Sequence, residues 1–369
     1  MRRRHLIAVG AAAGIGSPSF AAVRTPVIGL SLPISGVQAE VARDLEIGYR
    51  LALSATGARV DLQVMDDMSK PDLTAANLRK LADNPAVLVA SGVVGTPHAE
   101  AAIPVARQTG LPLVGLRSGA QFLRTGQEGV YHLRSTFEAE LDKVVAHCVG
   151  AGMKEMAILF SNDSFGKSSR DHLVKRLAES GITVISNVSV ERGGDNIKSA
   201  VASTSQVVKG SHAPLGIALL LIAKPMLEAA REIRLNHQII APLFAMSFVA
   251  TRDVATKPDP SLAGLGLVTA FPLPRASAQT MAVNFRRDAA RYAPGVDIVE
   301  SLTAFEGYLY GTVAARAVAG QSTRDGVMRE LRTGLQLGSG MSITFDNQRV
   351  GYRYLEVVRK TADDGKLRS

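Results

Sequence analysis

Three short stretches of this chain combine hydroxyls with residues too small to block a ligand's approach. They are Gly95-Thr96-Pro97, Ser118-Gly119-Ala120 and Ser164-Phe165-Gly166. Each adjoins a run that reads as a strand end or a helix start. A helix start leaves backbone N–H groups without internal partners, and a Ser or Thr hydroxyl beside them completes an anion site. Glycine and alanine let the anion come close to the backbone. The chemistry this suits is capture of a carboxylate. A lone Ser or Thr before a helix is ordinarily only an N-cap, so the weight rests on three such stretches at equivalent places. Asp66-Asp67 is a carboxylate pair of the kind used in acid–base work, but its position after a β-rich run reads as a strand-end cap. The chain has no Gly-x-Ser-x-Gly elbow, no Walker loop and no Gly-x-Gly-x-x-Gly after its first strand. Its seven histidines show no metal-ligand spacing, and His98 and His132 read as surface or capping residues. No cofactor and no metal are expected, and an enzyme is the weaker reading.

The elements that must position these loops alternate along the chain. Apolar runs at 27–32, 60–65, 86–90 and 112–115 predict strands, and amphipathic runs at 39–53, 73–81 and 98–107 predict helices. The pattern then restarts: strands at 157–160, 182–190, 217–222 and 239–244, helices at 168–179, 196–208 and 225–234. Short apolar runs between turn signals suit strands buried on both faces. The order predicts two doubly wound α/β lobes. A long helix follows at 300–318, and 341–358 reads as a pair of strands turning at Asn347. Ligands of parallel sheets bind at the carboxyl ends of the strands. Here those ends are 31–36 (with Ser35), Asp66-Asp67, 91–97, 116–120 and 161–166.

Arg2-Arg3-Arg4, an uncharged apolar stretch at 6–16 and Ser19-Phe20-Ala21 have the layout of a secretory signal peptide over 1–21, cleaved near Ala21 or Ala22. Arg3-Arg4 also fits a twin-arginine signal. Removing 1–21 lowers the formal charge from +9 to +6, without a Lys/Arg stripe that would suit nucleic acid. About 348 residues remain, more than one core usually covers. Cys148, the single cysteine, lies in a helical pattern and reads as a buried thiol.

Taken together, Gly29-Leu-Ser-Leu-Pro-Ile-Ser-Gly36, Asp66-Asp67, Gly95-Thr96-Pro97, Arg117-Ser118-Gly119-Ala120, Asn162-Asp163-Ser164-Phe165-Gly166 and Phe305-Glu306-Gly307-Tyr308 resemble the periplasmic leucine/isoleucine/valine-binding family over about 27–358. The resemblance implies a type I periplasmic binding fold with a three-strand hinge crossed near 134–137, 271–274 and 338–341. It implies a first lobe of 26–135 plus 275–338 and a second of 138–270 plus 341–361. It further implies a monomeric periplasmic protein that closes on a small solute and delivers it to the permease and ATPase subunits of an ABC importer. A ligand-sensing subunit for a separate receptor stays open as the alternative. By the same resemblance, Gly95, Thr96, Ser118, Gly119 and Ala120 would hold the ligand's carboxylate and Phe165 would cover it. The segment matching the family's ammonium-binding acid reads Ala241 to Ser247, with no acid. Ser247 stands there instead, and Glu306, Asp67 and Ser35 are further candidates. The implied ligand is an amino-acid-like, aromatic or aliphatic carboxylate.

Overall fold

The chain lays down two mainly parallel sheets in succession, and their parallel strands share one winding order. A computed structural model describes residues 24–126, 128–338 and 340–369; the signal-peptide stretch lies outside them. The first half runs β1 (Val27–Leu32), α1 (Ala39–Thr56), β2 (Asp61–Asp66), α2 (Pro71–Asp83), β3 (Val87–Ser91), α3 (Thr96–Thr109), β4 (Leu113–Val114) and β5 (Val130–Tyr131). These strands order as β2-β1-β3-β4-β5, all parallel. After α4 (Phe137–Gly150) come β6 (Glu155–Ser161), α5 (Ser164–Glu179), β7 (Thr183–Val190), α6 (Ile197–Gly210), β8 (Leu215–Leu220), α7 (Ala223–Arg231), β9 (Leu243–Met246), α8 (Arg252–Thr256) and β10 (Gly266–Thr269). They repeat the winding as β7-β6-β8-β9-β10. The type I periplasmic binding fold expected from the sequence is the fold observed.

The chain then returns to the first sheet. α9 (Thr280–Tyr292) and α10 (Leu302–Val318) pack on α1, and α11 (Arg324–Thr333) follows. Small residues set the α1–α10 crossing. A Cβ on Gly48 would lie 2.1 Å from the Ala304 carbonyl oxygen, and one on Gly307 would lie 2.3 Å from that of Leu45. Only glycine permits that approach, and it seats α10, which carries Glu306, against α1.

The tail departs from the expected strand pair. Residues Asp346 to Arg349 do turn, with the Arg349 amide donating to the Asp346 carbonyl at 2.8 Å. The strands on either side, however, do not pair with each other. β11 (Leu335–Gly338) pairs with β12 (Met341–Ile343), whereas β13 (Glu356–Lys360) joins β10 antiparallel and β14 (Leu367–Arg368) closes that edge. Alternation shows which face of a strand is buried but does not name its partner. Phe345 packs edge-on against Tyr131 of the first sheet at 4.9 Å. His132 bridges Val350, and the Ser135 hydroxyl donates to the Tyr354 carbonyl at 2.9 Å. Residues 350–354 therefore run beside the passage from β5 to α4. Among the described residues, no helix is long and apolar enough to cross a membrane.

Candidate functional site

Both sheets turn their carboxyl edges toward each other, so the loops chosen by residue type face across one cleft. Gly95 takes φ +103°, a conformation open to glycine, and its amide bonds the Arg117 carbonyl at 3.1 Å. α3 starts at the next residue, with Pro97 in its first turn and no side chain capping it. Thr96 and Ser118 are both buried, and their hydroxyls meet at 2.9 Å. That bond uses one of their two hydroxyl protons, which leaves one to donate elsewhere. The Ala120 amide reaches the Ser118 hydroxyl at 3.4 Å, and the Gly119 carbonyl accepts from the Phe137 amide at 2.8 Å.

Phe137, Phe165 and Phe248 form an aromatic cluster beside these loops. Phe165 stacks on Phe248 with ring centroids 5.3 Å apart, and Phe137 meets Phe165 edge-on at 5.1 Å. The Phe248 ring tip comes within 3.9 Å of where a Gly95 Cβ would stand. The sequence pattern starts the helix after Phe165 near 168, but α5 begins at Ser164. Asp163 caps it by accepting from the Gly166 amide at 2.9 Å, which puts Phe165 in the first turn.

Behind this box lies a buried charge cluster. Arg117 donates to Glu306 at 2.8 Å and Arg134 donates to the other Glu306 oxygen at 3.0 Å. Tyr310 donates to Glu306 at 2.6 Å. Arg134 also pairs with Glu140 at 3.4 Å and bonds Ser247, whose amide and hydroxyl both donate to Glu140, at 2.8 and 2.7 Å. The Arg117 guanidinium reaches the Phe248 carbonyl at 3.3 Å and lies 4.9 Å over its ring. Burial pushes Arg134 down, but the Glu306 and Glu140 carboxylates outweigh it and hold the guanidinium above its ordinary value. A cavity of about 10 Å³ remains beside Arg117, Arg134, Ser247 and Glu306, at most the space of one water.

Gly95, Thr96, Ser118, Gly119, Ala120 and Phe165 thus come together. Ser247 and Glu306 sit behind them, spent on Arg134 and Arg117. Asp67 is fully buried and accepts from Ser31, Thr74 and the Ser69 amide, each at 3.1 Å. Burial nevertheless raises its pKa. Ser35 donates to Asp66 at 2.7 Å. Asp66-Asp67 is therefore a stapled strand end, as its position suggests. Arg117, Arg134, Glu140, Phe248 and Arg192 escaped the sequence reading. Arg117 left one usable signal: it directly follows the apolar run 113–116, where a charge must find a buried partner.

Polar contacts close the cleft along its length. Arg252 pairs with Asp44 at 2.6 Å, the Asp253 amide donates to Glu40 at 3.1 Å, and Ser164 donates to Glu100 at 2.5 Å. An opening of about 280 Å³ remains at the mouth, between Gly36–Val41 and Ala223–Leu227, with Phe248 and Thr251. A larger hollow of about 680 Å³ lies at the far end of α3, around Arg107, Glu128 and Met328. It faces the amino ends of the strands, where this architecture does not place ligands.

His98 and His132 are not surface residues, as their polarity suggested. Each is 1% exposed, with neither ring nitrogen in hydrogen-bond geometry. Burial first, then the charge of Arg192, pushes His98 down to about 4, against weaker pulls from Ser69 and Asp163. Burial and Arg124 push His132 down to about 3. Unfolded histidine gains its proton below about pH 6.5 while these two stay neutral, so their contribution is intact above that pH and is lost as pH falls. By pH 5 each should cost about 2 kcal/mol of stability. Buried carboxyls held high, such as Asp44 and Asp67, act in the opposite sense, adding stability as pH falls through their raised pKa. Urea unfolding at pH 7 and pH 5 measures the difference; equal stability at both would contradict it.

No curated protein matches the chain by sequence. A possible leucine/isoleucine/valine-binding protein from Rhodopirellula baltica SH 1 superposes with TM-score 0.81 at 23% identity, covering 94% of this chain and 97% of that one. A substrate-binding periplasmic protein from Ralstonia solanacearum superposes with TM-score 0.79 at 26% identity, over 93% of this chain and 100% of that one. An ABC-transporter solute-binding protein from R. palustris, in complex with benzoate, superposes with TM-score 0.79 at 15% identity, over 94% and 95%. The periplasmic binding protein family model matches residues 25–351. With that match over most of its length and two parallel sheets facing across one cleft, the chain belongs to the periplasmic binding protein family.

Proposed function

We propose that the protein captures a small carboxylate lacking an α-ammonium between its lobes, outside the cytoplasm, and delivers it to the permease and ATPase subunits of an ABC importer. One observation carries the ligand class: the acids nearest the Thr96–Ser118 loops are already engaged, while Glu40 at the mouth and the exposed Glu100 meet only neutral donors. Glu306 serves two arginines, Asp67 has three donors, and Asp163 serves Arg192 and the start of α5. An ammonium held beside the Thr96–Ser118 loops would enter without a free counter-charge next to it, which is costly to bury. A carboxylate meets the Thr96–Ser118 hydroxyl pair and the uncapped start of α3. The remainder of the ligand then lies against Phe165, Phe248 and Phe137, which suits an aromatic or aliphatic body. The benzoate bound by the R. palustris neighbour is of that chemistry.

The lobes of this reading hold about 26–135 with 275–350, and about 138–270 with 355–361. The β11–β12 pairing and the Phe345–Tyr131 contact favour the longer first lobe over an end near 338. A thermal-shift screen of the ligand-free protein against aromatic, aliphatic and dicarboxylic acids and amino acids tests the ligand class. A ligand at 100 times its Kd adds about 2.7 kcal/mol of stability. We expect monocarboxylates such as benzoate to raise Tm and amino acids to leave it unmoved. The reverse pattern overturns the ligand class.

A further inference from the structure

The reading above leaves open what the second lobe contributes to the carboxylate. We infer that Arg192 is the second-lobe cation that closes on the ligand's carboxylate, directly opposite the start of α3. The inference rests on the proposed carboxylate site and goes beyond it in assigning this residue.

Arg192 follows β7, in the second lobe. Its Nη2 lies 3.1 Å from the position a Gly95 Cβ would occupy, and the His98 Nδ1 lies 3.3 Å from the same point. Four features therefore converge on one spot: the uncapped start of α3, a guanidinium, a buried imidazole with neither nitrogen bonded, and the tip of the Phe248 ring. A helix start alone would be no evidence of a ligand. The buried His98, with neither ring nitrogen in hydrogen-bond geometry and its Nδ1 beside the same point, is the second, independent observation.

The guanidinium has donors to spare. Its Nη1 pairs with Asp163, and its Nη2 donates across the cleft to Gln38 of the first lobe at 3.2 Å. Its Nε is buried without a partner. A guanidinium presents five N–H groups in a planar fork suited to two carboxylate oxygens. A neutral His98 can donate one further hydrogen bond without adding charge.

The position also explains how binding couples to closure. Arg192 reaches Gln38 and the Gly95 loop only when the lobes are together. A carboxylate held by the first lobe would attract it more in the closed state than in the open one. Only such differential affinity shifts the population. The carboxylate then sits between a helix start and a guanidinium, while Phe248 shields one side from water.

The test uses the mature full-length protein, with benzoate as the probe. Calorimetry compares wild type, Arg192→Gln, Arg192→Lys and Asp163→Asn. We expect Arg192→Gln to weaken benzoate binding at least tenfold and Arg192→Lys to recover part of the loss. Asp163→Asn should bind as well as wild type or better, because it retains a capping oxygen and releases Arg192 from competition. If Arg192 served only to hold Asp163, Asp163→Asn would lose as much affinity as Arg192→Gln, and that result overturns the inference. Unchanged benzoate binding by Arg192→Gln overturns it as well, and leaves the carboxylate reading standing. Failure of wild type to bind benzoate or any other carboxylate in the screen overturns the carboxylate reading itself, and the assignment of Arg192 with it.

Discussion

Replacing Glu306 with glutamine is expected to remove about 3–5 kcal/mol of folding stability. Glu306 is 2% exposed, and its two oxygens accept from Arg117 and Arg134, each 1% exposed. Glutamine keeps the shape but leaves buried Arg117 with only the Phe248 carbonyl and the Thr303 hydroxyl, and Arg134 with Glu140 as its one carboxylate. Removing one partner of a buried pair costs far more than the pair itself contributes, because the remaining charge stays desolvated. The variant tests architecture as well. Glu306 rides on α10, which packs on α1 of the first sheet, Arg134 stands between β5 and α4, Glu140 lies on α4, and Ser247 follows β9 of the second sheet. Urea unfolding of wild type and Glu306→Gln checks the magnitude. A loss under 1 kcal/mol would mean that water reaches the cluster and that it does not join the lobes.

The second large effect falls on affinity. Thr96→Val keeps β-branching and removes the hydroxyl; Ser118→Ala removes its partner. A hydrogen bond to a charged group contributes about 1.5–3 kcal/mol, which is roughly 10- to 150-fold in Kd. The two hydroxyls meet at 2.9 Å, so their effects should not add: each single variant also unsettles the other's proton. We expect either change alone to weaken benzoate binding by at least tenfold, and the double variant to weaken it by less than the product of the two. Calorimetry reads both quantities. Unchanged Kd in both single variants, with Tm intact, would remove this loop pair from the site.

Much of this was legible before any coordinates. Buried parallel strands leave short apolar runs, and the restart of the pattern near 157 marked the second sheet. The Gly95–Thr96 and Ser118–Ala120 loops were legible because glycine and hydroxyls at strand ends are a local signal. Asp66-Asp67 was legible as a strand-end cap from its place after a β-rich run, although Asp67 also stood among the candidate ligand contacts. The charge cluster was not legible, because its members are scattered from Arg117 to Glu306 and only tertiary folding joins them. Ser247 illustrates the limit. The resemblance offered it as a ligand contact, yet its hydroxyl is taken up by Glu140 and Arg134. His98 failed in the opposite direction: its polarity suggested the surface, whereas the α3 start and Arg192 enclose it. The tail failed because alternation reports a buried face and not a partner strand.

The central claim is that the cleft takes a carboxylate and offers an ammonium no counter-charge. The most direct measurement is calorimetry of leucine against 4-methyl-2-oxopentanoate, and of phenylalanine against 3-phenylpropanoate, under one set of conditions. Within each pair the carboxylate and the carbon skeleton are kept and the α-amine is lost. The account predicts that the amine-free member of at least one pair binds, and binds at least tenfold more tightly than its amino acid. Amino acids binding tenfold more tightly in both pairs would contradict it, because an acid would then have to face the ligand.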